Sequence, residues 1–210
     1  MLLTASASGL RPAWHSWAVT LPLVLLSLAL GWMGYGRYLI AQLSYELPTL
    51  NFSWSLPGLA LADSSAANQP ATLVIGKLNL QAPIQRDVPI DNQSLYDDAL
   101  LNGVALASSS APLEATSGNS FIFGHSSRFA LHSTPYDAIF ALLPKLQTGD
   151  AMQVVSNGQT ASYHVTLSKV ISATDVQYLD TSPERELTLV TCWPVGTNLK
   201  RWVVQAVKNS

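Results

Sequence analysis

A lone cysteine, Cys192, in 210 residues excludes an internal disulfide and any metal site built from several thiolates. Charge is also scarce. Asp, Glu, Lys and Arg together make up 11% of the chain, and Lys and Arg form no runs. With a formal net charge of −2, the chain has no basic stripe of the kind that nucleic-acid binding requires. No internal repeat is present, which excludes solenoids and propellers. A mean hydropathy of +0.22 on so few charges is apolar for a water-soluble domain and points to a membrane segment. A single thiol is either a small buried hydrophobe or a reactive group, and its surroundings must decide.

The apolar residues concentrate first in residues 17–36, which carry no charge. Twenty residues at 1.5 Å rise span about 30 Å, the thickness of a bilayer's hydrocarbon core. Trp14, Trp17, Trp32, Tyr35 and Tyr38 cluster near its ends as interfacial aromatics do. Arg11 and Arg37 flank it almost evenly, so the charge rule leaves orientation open. A cleaved signal peptide fits less well, because the run exceeds a usual apolar core and no small-x-small site follows closely. The chain thus divides into a short N-terminal cytoplasmic segment (1–16), a transmembrane helix (17–36), a linker (37–70) and a folded domain (71–210). The linker contains Pro48, Pro57 and Pro70 and a small, polar stretch at 63–69.

Residues 71–210 carry β signals. Residues 72–80 predict a strand. Residues 151–156 and 159–171 predict a hairpin joined by Asn157-Gly158, a pair that tolerates the positive φ of a tight turn. In its second arm Tyr163, Val165 and Leu167 alternate with His164, Thr166 and Ser168, so one face is buried. Residues 120–123, 186–192 and 202–207 predict further strands, the last two joined by a 194–200 loop. Short helices are expected at 93–101 and 136–143, Pro144 ending the second. Many short strands with regular turns predict a mainly β domain forming a closed or nearly closed barrel.

Three residues stand out for chemistry. Cys192 ends the apolar strand Leu187-Thr188-Leu189-Val190-Thr191-Cys192, where a strand fixes the sulfur beside a loop. A thiol nucleophile works as thiolate and needs a nearby cation or imidazolium. His125 leaves the strand Phe121-Ile122-Phe123 through Gly124. His15 belongs to the membrane edge, His164 to a solvated face, and His132 has no distinguishing context. Arg201 opens the strand after the 194–200 loop, which places it opposite Cys192 if that loop is a hairpin. A guanidinium there has donors for a developing oxyanion. Taken singly, each residue has an ordinary structural role: a core cysteine, a loop histidine, a surface arginine.

Together the three, with the residues around them, resemble the sortase family. Thr188-Leu189-Val190-Thr191-Cys192 is similar to its Thr-Leu-x-Thr-Cys signature, Arg201 follows at the family's spacing, and Phe123-Gly124-His125-Ser126 resembles its histidine motif. The resemblance covers about 71 to the C-terminus and implies an eight-stranded β-barrel behind a membrane anchor, with the catalytic domain outside the cytoplasm. It implies a transpeptidase that cleaves a C-terminal sorting motif of the Leu-Pro-x-Thr-Gly type. In that reading Cys192 forms a thioester, His125 shuttles the proton, Arg201 holds substrate and oxyanion, and Thr191 contacts substrate. The acceptor would be the amine of a peptidoglycan precursor or a pilin lysine. No metal or organic cofactor is expected, and no acidic cluster suggests calcium. No Asp-Pro-aromatic lid motif of the pilus-building type occurs in 41–70. The alternative is a membrane-tethered β-barrel binding module with a structural cysteine. An L,D-type cysteine transpeptidase is disfavoured because His125 and Cys192 lie far apart in sequence.

Overall fold

The hairpin expected around Asn157-Gly158 forms, with both turn residues at positive φ (50° and 73°). Its arms are β5 (Ala151–Ser156) and β6 (Gln159–Ser172). The computed structural model describes residues 14–46, 70–128, 134–175, 177–179 and 182–209. The other strands are β1 (Thr72–Ile75), β2 (Leu80–Val88), β3 (Val104–Ala107), β4 (Gly118–Phe123), β7 (Arg185–Trp193) and β8 (Lys200–Lys208). All eight close into one barrel in the order β1-β2-β3-β4-β7-β8-β6-β5. Helices α1 (Trp14–Glu46) and α2 (Gln93–Leu101) precede β1 and β3 respectively.

The barrel is mixed. The β2–β3 and β4–β7 pairs are parallel and the rest antiparallel. Leu73, Ile75, Leu106, Ile122, Leu187 and Leu189 fill its interior. Each such side chain contributes roughly 1.5–3 kcal/mol of apolar burial. The strands alternate faces. Leu187 and Leu189 therefore point inward on β7, whereas Val190 belongs to an outer cluster with Ile171, Tyr178 and Val203.

Two local expectations are corrected, and one strand was not expected. The strand expected over 72–80 is broken by a 3-10 turn, Gly76–Leu78, closed by Asn79 in the left-handed region (φ 49°). Strand β3 has no alternating signal, because all four of its residues are buried. Residues 136–143 form successive three-residue turns instead of an α-helix. There the amide of Phe140 donates to the carbonyl of His125 (2.9 Å). The Asp137 carboxylate likewise accepts from Thr134 N and Oγ1 (2.9 and 3.0 Å). Both bonds compete with an α-helical ladder.

Helix α1 starts before residue 17 and continues to Glu46, into the stretch expected to be linker. No proline interrupts residues 37–46, and Pro48 follows shortly after. Leu21, Leu23, Val24, Leu25, Leu26 and Leu28 are exposed along it. Among the described residues, no helix is long and apolar enough to cross a membrane. At the other end of α1, Tyr38 packs on the barrel core and Glu46 lies 3.6 Å from Lys145. The polar stretch at 63–69 lies outside the described residues, as does His132.

Arg185, 5% exposed at the start of β7, ties one end of the barrel. Its guanidinium donates to the carbonyls of Gly118, Pro112, Leu113 and Glu186 and to Ser120 Oγ (2.7–3.1 Å). Arg185→Met keeps the apolar stem but strips donors from several buried carbonyls. A loss of about 3 kcal/mol or more is expected, read from the shift in urea midpoint at unchanged slope.

Candidate active site

The site lies on the outer face of the barrel, where β4, β7 and β8 end together. Cys192 and Arg201 are register partners across the β7–β8 hairpin. Antiparallel partners have Cα atoms about 4.5–5.5 Å apart, so the thiol and the guanidinium start from neighbouring positions. On the other side, β4 runs parallel to β7, with Phe123 opposite Val190. His125 lies two residues beyond Phe123, and the ladder continues one bond further, from Gly124 N to Val190 O (3.2 Å). Topology therefore brings together three residues separated by up to 76 positions in sequence (201 − 125).

Cys192, His125, Arg201 and Thr191 all border one cleft of about 380 Å³. Its floor and walls are largely apolar: Phe121, Phe123, Val190, Val203 and Ile171 from the strands, Tyr178 from the β6–β7 connection, Tyr96 from α2. Tyr96 stacks flat on Phe123, with ring centroids 4.7 Å apart and planes within 5°. Asn92 caps α2 by accepting from Leu95 N (3.2 Å), which fixes the helix that carries Tyr96. The Tyr178 wall is tied to β4 through Asn119, whose Nδ2 donates to Tyr178 O (2.8 Å) while its Oδ1 accepts from Thr188 Oγ1 (2.9 Å).

Each predicted residue has a definite place. Cys192 is half-buried and unpaired. Arg201 Nη1 donates to the carbonyls of Asn198 and Lys200 (3.0 Å each), which fixes the guanidinium and leaves it other N–H groups for a ligand. His125 is held through its own backbone, and its Nε2 is buried without a hydrogen-bond partner among the described residues. Thr191 is on the opposite face of β7 from Cys192 and only 3% exposed. Its hydroxyl donates to Gly124 O (2.8 Å), so it joins the strand of the nucleophile to the turn of the histidine. Gly124 itself has no room for a side chain, since an added Cβ would come within 2.8 Å of the Phe140 ring.

Electrostatically the cleft disfavours charge on the imidazole. Burial lowers the pKa of His125, the Arg128 cation lowers it further, and Asp137 and Asp97 act in the opposite direction. Burial pushes the Tyr96 phenol up to about 12, with Cys192 adding to the effect, so it stays a hydrogen-bond donor at neutral pH. Among the described residues, no three His, Cys, Asp or Glu side chains gather as a metal site would need. Sequence reasoning did not single out Tyr96, Asp137 or Tyr178. The only signal for Tyr96 is its position on a short capped helix, and Asp137 carries none.

Comparisons with known proteins agree with this architecture. A family model described as the sortase domain matches residues 73–209. Among solved structures, a lid mutant of sortase A from Corynebacterium diphtheriae is similar at 24% identity and TM-score 0.55, over 67% of this chain and 70% of that one. Sortase C1 of Streptococcus agalactiae is similar at 23% identity and TM-score 0.56, over 67% of this chain and 66% of that one. A Clostridium perfringens sortase D5 transpeptidase is similar at 24% identity and TM-score 0.54, over 67% of this chain and 79% of that one. Comparison with the curated proteins finds no match.

Two expectations follow from the geometry. Thr191→Val leaves the Gly124 carbonyl buried without its donor and should cost about 1–3 kcal/mol in chemical denaturation. It should also slow alkylation of Cys192, since the two strand ends lose their tie. The lowered pKa of His125 fixes the second sign. The unfolded chain binds the proton more readily than the folded one, so stability falls as pH drops below the ordinary histidine value of 6.5. His125→Gln should flatten that part of the stability-against-pH curve, measured by urea unfolding.

Proposed function

The chain belongs to the sortase family of cysteine transpeptidases, and on that premise we propose that Cys192, His125 and Arg201 are its catalytic residues. The observation that carries the reading is the register pairing of Cys192 with Arg201 beside the cleft that His125 also borders. In this reading Cys192 Sγ attacks the carbonyl of the Thr in a sorting motif of the Leu-Pro-x-Thr-Gly type. The C–S bond forms and the Thr–Gly amide bond breaks, while His125 takes the Cys192 thiol proton and passes it to the departing amine. An incoming amine then attacks the thioester. The C–N bond forms, the C–S bond breaks, and the amine's proton passes through the imidazole to the released Cys192 sulfur. Arg201 donates to the oxygen that carries negative charge in both tetrahedral intermediates. Neither step calls for a metal or an organic cofactor.

The substrate is an extended peptide near the C-terminus of a secreted protein. The apolar floor of Phe121, Val190, Val203 and Ile171 suits the Leu and Pro of such a motif. The acceptor is an amine of a peptidoglycan precursor or a pilin lysine. Thr191 holds the two strand ends through its bond to Gly124 O, and in this reading it also contacts substrate from the border of the same cleft. In this reading residues 17–36, within α1, hold the enzyme at the membrane with the barrel outside the cytoplasm. The uncharged run in the sequence and the exposed leucines of α1 support that anchor. A tether raises the local concentration of substrates emerging from the same membrane.

Mass spectrometry of the protein incubated with a panel of sorting peptides tests the reading. A peptide-sized increment on Cys192 is expected, released by an added amine nucleophile. Cys192→Ala should form no adduct. His125→Ala and Arg201→Ala should lower turnover by about 100-fold or more while the thermal midpoint changes little. Near-normal cleavage by any of the three variants removes that residue from the mechanism. A native protein whose Cys192 resists alkylation would instead favour the binding-module alternative.

A further inference from the structure

The carboxylate of Asp137 is the most deeply buried charge near the cleft, with no exposed surface as a residue. It accepts from Thr134 N (2.9 Å) through Oδ2 and from Thr134 Oγ1 (3.0 Å) through Oδ1. Oδ1 also lies 3.6 Å from Arg128 Nη1. Arg128 is three residues beyond His125, and Asp137 is three residues before Phe140, whose amide donates to His125 O (2.9 Å). The two ends of the loop that follows His125 are therefore closed twice, by a backbone hydrogen bond and by an ion pair. A fully buried carboxylate is costly unless paired, and nothing in barrel closure itself requires one here.

We propose that Arg128 and Asp137 are a positioning pair that clamps the loop after His125 to the barrel and places opposite charges beside the imidazole. The proposal rests on the reading of His125 as the proton carrier. A loop histidine with only one of these charges would be biased strongly toward one protonation state. Paired at 3.6 Å, the two charges act on the ring in opposite directions, while the clamp keeps its position. Arg128 disfavours the imidazolium and Asp137 favours it, as does Asp97 from α2. The other titratable or charged groups that border the same cleft are the Cys192 thiol, the Arg201 guanidinium, the Tyr96 and Tyr178 phenols and the Asp175 carboxylate. Neither member of the pair is proposed to touch substrate.

The test is an NMR titration of the His125 ring in the full chain in detergent, assigned with a His125→Gln control. In Arg128→Gln the apparent pKa should rise by about half a unit or more, and in Asp137→Asn it should fall by a similar amount. The double variant should lie between them. A merely structural clamp would give shifts of one sign, or none, and either result overturns the proposal. Arg128→Gln decides the matter if Asp137→Asn fails to fold, because the Arg128 side chain is 31% exposed against 1% for Asp137. An unmoved imidazole in Arg128→Gln is then sufficient to reject the pair. The titration needs no substrate, so it separates this proposal from the reading it rests on. If the imidazole shifts while the pH dependence of peptide cleavage does not, the pair stands and His125 leaves the mechanism.

Discussion

The parallel pairing of β4 with β7 is the constraint on which the site depends. Six consecutive register partners, from Gly118–Arg185 to Phe123–Val190, lock the two strands so that they end at the same level. A slip of one residue would exchange inner and outer faces along the whole strand. Leu187 and Leu189 would leave the core, and Cys192 would point inward. The hydrophobic core thus fixes the direction of the thiol. Thr191 and Gly124 extend the pairing just past the last ladder residues, where the chain must diverge to form a cleft.

Rigidity is distributed around that cleft in a consistent way. Each wall is fastened by at least one hydrogen bond or ring contact from outside the reacting groups. Asn119 holds the Tyr178 wall, the Asn92 cap and the Phe123 ring hold Tyr96, and two loop carbonyls hold Arg201. The two terminal nitrogens of Arg185 are satisfied by its cradle of carbonyls and by Ser120 Oγ. Gln42 Oε1, Arg128 Nη1, Arg185 Nε and His125 Nε2 are buried without a hydrogen-bond partner among the described residues, and of these four residues His125 is the one that lines the cleft. An unsatisfied buried polar atom costs free energy, so its survival inside a cleft is evidence for a ligand that completes it.

Much of this was legible in the sequence, for identifiable reasons. Alternation and the Asn157-Gly158 turn marked the β5–β6 hairpin, and the position of α2 matched its expected bounds of 93–101. The 194–200 loop marked the β7–β8 hairpin, hence the Cys192–Arg201 partnership. The parallel neighbours were not legible, because the β4–β7 pairing joins segments more than sixty residues apart and leaves no local pattern. Strand β3 was hidden by burial on both faces, which erases alternation. The 136–143 segment has helical composition, yet its key amide and carboxylate are committed to His125 O and Thr134. Tertiary partners overrode propensity at the point where the chain supports the histidine.

That override explains why chemistry and local irregularity coincide in this fold. A regular helix over 136–143 would have used the Phe140 amide internally and left the His125 carbonyl without its donor. It would also have moved Asp137 away from Thr134 and Arg128. A continuous strand beyond Phe123 would have turned Gly124 into a ladder residue, and any side chain there would have met the Phe140 ring. The glycine, the turns and the buried carboxylate are therefore one solution to a single problem, which is to bring a histidine off the end of a core strand and hold it beside a neighbouring strand's thiol. The barrel supplies the precision, and the irregular segment spends helical regularity to aim one side chain.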